Sequence, residues 1–277
     1  MPPRATGTQA FDRAIDLLFA IAEASDGLRI TDIAATSGLS VATAHRLVQG
    51  LARRGLVDQL PENKRFVLGL RFLSLAARHR EPGGLVVAAR PSVLRTVAAT
   101  GDCVFLMAPS GFDAVCVDRQ DGGYTIRSLT GGIGGVTPLG LGPGSLAILS
   151  HLPPKEREVV LEHNAPRIAQ LGGQVPSERD MEQVRRDGHV YDAGPILPGV
   201  TGVAVPILSP RGHPVGSLGI GAIAPRLEAD RVPEVVGLLK AEVSRMSEAL
   251  FAEPAPRQGS PSSTSVGRNR GLGDPVG

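Results

Sequence analysis

The 277-residue chain has no Trp, two Tyr, seven Phe and only two Cys. Cys103 and Cys116 can form at most one bridge, which excludes a disulfide scaffold and makes a reducing compartment the default. No stretch approaches the roughly 18 uninterrupted apolar residues of a membrane span, and Met1 to Ala10 holds no apolar signal core. A cytoplasmic protein that does not enter a membrane is expected. Charge of one sign is also lacking: 29 Lys and Arg face 27 Asp and Glu, for a net +2. That excludes a molecule binding nucleic acid by bulk charge, so any such binding must be local.

What the chain does have is length and a globular balance, with 42% hydrophobic and 20% charged residues. It can bury most of its apolar surface without staples, and its length favours two domains or one large one. Residues 9–80 are helix-rich by pattern and contain only Pro61, between two apolar segments. Residues 103–142 hold β-leaning runs at Cys103–Met107, Ala114–Val117 and Thr125–Leu129, punctuated by glycine turns, as in a meander. Helical patterns return near 85–100, 145–150, 154–162 and 177–187. Two further strand-like runs, Gly202–Leu208 and Val215–Ile220, flank the turn Ser209–Gly212. An amphipathic helix closes the fold at Pro233–Phe251, and 253–277 is expected to be a disordered tail. The fold class is α+β.

Residues 1–80 carry 11 basic and 7 acidic side chains, +4, against 18 and 20, or −2, for the remainder. In this basic unit Phe11, Ala14, Ile15, Leu18 and Ile21 share one helical face. Thr31 is placed to cap a short second helix that stops at Gly38, and Ser40 to cap a third. Val41, Ala44, Leu47, Val48 and Leu51 form the third helix's apolar stripe, turning Ala42, Thr43, His45, Arg46 and Gln49 outward. Leu56–Gln59 and Arg65–Leu68 read as a hairpin whose tip, residues 60–64, is a small wing. Together these make a winged helix-turn-helix.

The segments AFDRAIDLL from Ala10, TDIAA from Thr31, GLSVATAHRL from Gly38 and RFVLG from Arg65 resemble the IclR family of bacterial transcriptional regulators. So do TPLG from Thr137, GHVYD from Gly188 and GVTGVAVP from Gly199. The resemblance implies a winged helix-turn-helix over 1–68, a linker helix over 69–84 and a GAF-like α/β effector-binding domain over 85–252. It also implies dimers or tetramers on double-stranded, inverted-repeat operators, and no cofactor. Ala42, Thr43, His45 and Arg46 would meet base edges, and Arg53, Arg54, Lys64 and Arg65 phosphates. Thr31 and Ser40, at the helix starts, complete the expected DNA contacts.

The most unusual stretch, Gly131–Ser145, is dense in glycine and runs into a helix whose backbone N–H groups can hold a carboxylate or phosphate. It lacks the ending of a P-loop, and a ligand-free flexible loop is its plain alternative. Matched by position to the family, an effector pocket would be lined by Ile126, Leu129, Gly142, Pro143, Asp192, Val200, Gly202, Gly219 and Gly221. Gly202, Gly219 and Gly221 stand where relatives can carry Cys or Ser. The missing side chains are expected to enlarge the cavity for an organic acid bulkier and less polar than two- or three-carbon acids. His151, His163, His189 and His213 are scattered, so no metal site is expected, and no nucleophile elbow is present. The rival to a regulator is a hydrolase or thiol enzyme on the second unit, with the first used for oligomerisation. Cys103 and Cys116, on neighbouring strands that would allow a diagonal approach, are expected to be buried core thiols rather than a redox pair.

Overall fold

The computed structural model describes residues 8–24, 26–78, 84–126, 128, 130–192 and 197–252. The chain divides into two units, residues 1–82 and 83–277. Leu129 and the tail 253–277 lie outside the described residues.

The first unit contains three helices, α1 (Gln9–Glu23), α2 (Ile30–Ser37) and α3 (Val41–Ala52). They are followed by the two-stranded wing β1 (Val57–Gln59) and β2 (Phe66–Leu68), then by α4 (Arg71–Arg78). The core joins Leu17 and Ile21 of α1, Ile33 and Ala34 of α2, Ala44, Val48 and Leu51 of α3, and Val57 and Phe66 of the wing. The α1 stripe is therefore centred on Leu17, and Phe11, expected inside, is 67% exposed. Val41, expected on the buried face of α3, is also exposed, the stripe of that helix entering the core at Ala44, Val48 and Leu51. Thr31 does not cap α2. Arg29 occupies the cap, and Asp32, inside the first turn, accepts the Arg29 backbone N–H at 3.3 Å. Gly38 ends α2 in the left-handed conformation at φ 63°, which a residue without a Cβ adopts at no steric cost.

Phe66 ties the wing to the helices. Its N–H donates to Leu28 O at 2.7 Å and its carbonyl accepts from Leu28 N at 3.0 Å. Gly69 is held by close approach: a Cβ there would lie 2.2 Å from Gly55 O. The expected linker is helical over α4, which starts beside Gly55, with Arg71 N–H donating to Gly55 O at 3.3 Å.

The second unit contains α5 (Leu85–Thr100), β3 (Cys103–Ser110), β4 (Asp113–Gln120), β5 (Val136–Pro138) and α6 (Pro143–Ser150). It continues through α7 (Pro154–Gln170), α8 (Glu178–Asp187), β6 (Val190–Asp192), β7 (Val200–Leu208), β8 (Pro214–Ile223) and α9 (Val232–Leu250). The six strands form one sheet in the order β5-β4-β3-β8-β7-β6, every neighbouring pair antiparallel. The meander is present, but its third strand is β5. The described residues of Thr125–Leu129 form no strand and make a connecting loop.

Alternation sorts the sheet's two faces. Val104 and Leu106 of β3, Val203, Val205 and Ile207 of β7, and Leu218, Ile220 and Ala222 of β8 pack against α5 and α9. On the opposite face Met107 and Cys116 pack with Ile148 and Leu149 of α6, Val160 of α7 and Met181 of α8. Three buried carboxylates are neutralised near α5 and α9: Asp102 by Arg226 and Arg231, Asp118 by Arg90, and Glu242 by Arg95 and Arg245.

Two outcomes follow. Phe66→Ala empties a site that the wing and helices share, and should cost about 3–5 kcal/mol, read as an earlier denaturation midpoint of the first unit. Burial pushes the Glu242 carboxyl up, but hydrogen bonds from Arg95 and Ser92 and the nearby guanidinium charges hold it below the ordinary glutamate value. A depressed folded value means that Glu242 contributes stability at neutral pH, and that this is lost as pH falls through the ordinary value towards the depressed one. Urea unfolding followed against pH should therefore be flatter on the acid side in Glu242→Gln than in the natural chain.

Candidate DNA-reading face and ligand pocket

The exposed side of α3 is built by its cap and its phase. Ser40 Oγ accepts the Thr43 backbone N–H at 3.3 Å and lies 2.9 Å from Thr43 Oγ1, which fixes the first turn. Positions 42, 45, 46 and 49 then fall on one face at helical spacing. Ala42, His45 and Arg46 are exposed, and Thr43 and Gln49 are half-buried. Ser40 and Thr31 are exposed too, although Thr31 sits on α2 with its hydroxyl 3.3 Å from Asp32 Oδ1. Arg53 takes the C-cap of α3, and it and Arg54 are exposed.

At the wing tip Lys64 is exposed and has φ 60°, a left-handed conformation uncommon for a residue with a side chain. The tip is closed around it. Leu60 N–H donates to Arg65 O at 2.8 Å, and Gln59 Nε2 donates to Lys64 O at 3.1 Å. Arg65 differs from the expected free phosphate ligand: it is half-buried, and its Nη1 donates to Gly27 O at 2.8 Å, so part of its donor set clamps the wing to the turn before α2.

In the second unit Ile126, Gly142, Pro143, Asp192, Val200, Gly202, Gly219 and Gly221 line one cavity of about 120 Å³. It lies between the glycine-bearing face of the sheet and the start of α6. Other wall residues, outside the expected set, include Phe105 and Met107 from β3, Ser128 and Thr130 from the loop, Thr137 from β5, and Ser145 and Thr201. Phe105 belongs here because β3 pairs with β8 in a register that sets it opposite Gly219. The alternation of β3 was a usable signal, but the pairing partner was not.

The glycines do not leave the enlarged space expected of their missing side chains. A Cβ at Gly221 would lie 2.6 Å from Ile126 Cδ1 and 3.2 Å from Phe105 Cε2, and one at Gly202 would lie 2.8 Å from Pro143 Cγ. The space a side chain would take is filled by neighbours drawn inward, and the result is a compact apolar cavity. At its α6 end, Pro143 occupies the first helical position and has no N–H, while the N–H groups of Gly144 and Ser145 have no partner inside the helix. The Ser145 hydroxyl is already committed, donating to Leu141 O at 2.5 Å. No Lys or Arg lines the cavity among the described residues, and Asp192 is its ionisable wall residue.

Arg119 shapes the loop side without lining the cavity. Its guanidinium donates to Ile126 O at 3.1 Å, Gly131 O at 2.7 Å and Asp121 Oδ1 at 2.8 Å, and its carbon lies 5.2 Å from the centre of the Phe105 ring. One cation thus spans both ends of the loop that carries Ile126 and Ser128.

The cysteines do not meet diagonally. Cys116 pairs opposite Met107, four residues along β3 from Cys103, and both thiols are free and buried. Burial pushes both above the ordinary cysteine value, which disfavours the thiolate a nucleophile needs. Among the described residues no three His, Cys, Asp or Glu cluster as a metal site, and no helix is long and apolar enough to cross a membrane.

Residues 10–61 match the IclR helix-turn-helix domain, and residues 83–248 match the C-terminal domain of the bacterial transcriptional regulator IclR. The HTH-type transcriptional regulator BhcR of Paracoccus denitrificans is 27% identical over 250 residues, covering 88% of this chain and 84% of BhcR. The transcriptional repressor IclR of Escherichia coli is 25% identical over 236 residues, 83% of this chain and 86% of the repressor. Among solved structures, an IclR homologue from Microbacterium hydrocarbonoxydans complexed with 4-hydroxybenzoate has a TM-score of 0.73 at 22% identity, covering 88% of this chain and all of that one. An IclR regulator from Alicyclobacillus acidocaldarius has a TM-score of 0.69 at 19% identity, over 87% of this chain and 98% of its own. With both domains matched in order over most of its length, the chain belongs to the IclR family of bacterial transcriptional regulators, which pair a DNA-binding helix-turn-helix with an effector-binding C-terminal domain.

Proposed function

We propose that this regulator reads its operator through the exposed face of α3 and is controlled by a small organic acid with an aromatic or branched apolar body. The observation that carries the effector assignment is the convergence of eight separate sequence positions on one compact, mainly apolar cavity that ends at a helix N-terminus. Its volume of about 120 Å³ is on the scale of cavities that accept a single aromatic ring, roughly 150 Å³. With no cationic side chain in the wall among the described residues, the carboxylate would be met by the Gly144 and Ser145 N–H groups and the positive end of the α6 dipole. Asp192 would accept a hydrogen bond from a hydroxyl or amine on the ligand. A structural neighbour complexed with 4-hydroxybenzoate supports that ligand as a first probe.

For DNA, Ala42, Thr43, His45 and Arg46 would face base edges. Ser40, Thr31, Arg53, Lys64 and the free donors of Arg65 would position the head on phosphates. The regulator would act as a homodimer or tetramer on an inverted repeat, with the segment 69–84, which contains α4, coupling occupancy to operator binding. Coupling requires that the effector bind one state of that assembly better than the other.

Arg46→Ala should lower affinity for the operator beside its own gene by about 1–3 kcal/mol and leave non-specific duplex binding unchanged, as measured by salt-controlled gel shift. Lys64→Ala should instead weaken all duplexes alike and reduce the salt slope by about one. In thermal-shift titrations 4-hydroxybenzoate and benzoate should raise the melting temperature progressively, and pyruvate far less, because only a pocket ligand stabilises the fold by mass action. Asp192→Asn should weaken 4-hydroxybenzoate more than benzoate; equal losses, or tight binding of pyruvate alone, would refute the assigned pocket chemistry.

A further inference from the structure

A second concavity of the effector domain, of about 520 Å³, is lined by Arg157, Arg185, Arg211, His151 and His213, together with Ser150, Gly212 and the rigid Leu152-Pro153-Pro154 corner. No carboxylate lines it among the described residues, and it shares no residue with the effector cavity. Part of this basic cluster has a structural task. Arg157 Nη1 donates to Leu152 O at 3.1 Å and Arg185 Nη1 to Ser150 O at 3.0 Å, so both complement the carbonyl end of α6. Both also reach the same oxygen of Glu178, at 3.0 and 2.6 Å.

That task accounts for only part of the cations. A guanidinium has five N–H donors, so Arg157 and Arg185 each keep three beyond those bonds. One carboxylate serves the two of them. Arg211 and His213 have no side-chain hydrogen bond or ion pair among the described residues, so nothing within the domain explains them. They stand on a turn pinned by its own bonds: Ser209 N–H donates to His213 O at 2.8 Å, Gly212 N–H to Ser209 O at 2.8 Å, and His213 N–H to Ser209 Oγ at 3.1 Å.

We propose that this groove is a second ligand site of the regulator, taking the phosphate group of a phosphorylated small metabolite. Three guanidinium groups arrive from α7, α8 and the β7–β8 turn. A tetrahedral oxyanion can accept from such separated directions, whereas a planar carboxylate suits one paired fork. The volume is in the usual range for a small-molecule site and exceeds what the anion alone needs. The carrier would lie against Leu152, Pro153 and Pro154. Arg157, buried at the floor, is already held by Leu152 and Glu178, so little ordering is left for binding.

The test is calorimetry on the full-length protein with inorganic phosphate, ribose 5-phosphate and, as control, ribose. Both phosphates should bind, ribose should not, and saturating 4-hydroxybenzoate should displace neither. The exposed-turn double variant Arg211→Ala/His213→Ala should weaken phosphate binding by about tenfold with an unchanged melting temperature. Arg157→Lys, which keeps the charge but not the fork, should weaken it as well. No binding of either phosphate at roughly 10 mM, or binding that the double variant leaves unchanged, overturns the proposal. So does an equal loss of affinity for all DNA duplexes in that variant, which would make the groove a contact for the DNA backbone.

Discussion

The effector domain depends on how closely α6 can approach the sheet. Gly144, in the first turn of that helix, sits where a Cβ would be 2.9 Å from Met107 Cγ and 3.1 Å from Ser217 Oγ, and Ser217 Oγ donates to Gly144 O at 2.9 Å. Gly202 likewise clears Pro143 at the start of α6, Gly219 the neighbouring strand β7, and Gly221 Ile126 of the loop and Phe105 of β3. A helix start is thereby brought close against the sheet, and its N–H groups are left at the wall of an apolar cavity. β8 achieves this by period two: Leu218, Ile220 and Ala222 fill the core beneath α5 and α9, and glycines face the other way. The pocket is therefore a consequence of packing, with neighbours such as Ile126 and Pro143 drawn into the cleared space.

The DNA-reading head solves a smaller problem with different means. Among the described residues its core has nine buried hydrophobic residues, with Phe66 as the one aromatic member, and backbone close approach at Gly27 and Gly69 holds the wing and the start of α4 in place. On the outward side of α3, Thr43 is tied to Ser40, while His45 and Arg46 make no side-chain hydrogen bond or ion pair among the described residues. Arg46 and His45 are uncommitted, whereas Arg65 is shared between the surface and the fold. A residue that must clamp the wing cannot be presented as freely as one that need not.

Much of this could be read without coordinates, and what could not has a physical pattern. Local signals were reliable: Gly38 at the end of α2, Ser40 as the cap of α3, and the apolar phase around Ala44, Val48 and Leu51 all depend on neighbours within a turn. Expectation and structure part where several residues compete for one role, near or far along the chain. Thr31 looked like a cap until Arg29 and Asp32 took that role. The run Thr125–Leu129 has strand composition, yet the edge beside β4 is taken by Val136–Pro138. The spacing of Phe11 fits the α1 stripe, but the core takes only Leu17 and Ile21 from that helix and leaves Phe11 exposed. In the pocket, positional matching found the glycines and Pro143 and missed Phe105, Thr137 and Ser128, whose inclusion follows from strand register and from Arg119 holding the loop.

Sequence alone determined the two-part chain, the helix-turn-helix with its wing, the α+β class and the unequal division of charge, because periodicity, capping and composition act over a few residues. Only the tertiary structure decided the volume and polarity of the pocket, the partial burial of Arg65 and the gathering of Arg157, Arg185, Arg211 and His213 around one groove. Each of these joins residues far apart along the chain, and steric exclusion between such partners has no trace in local pattern.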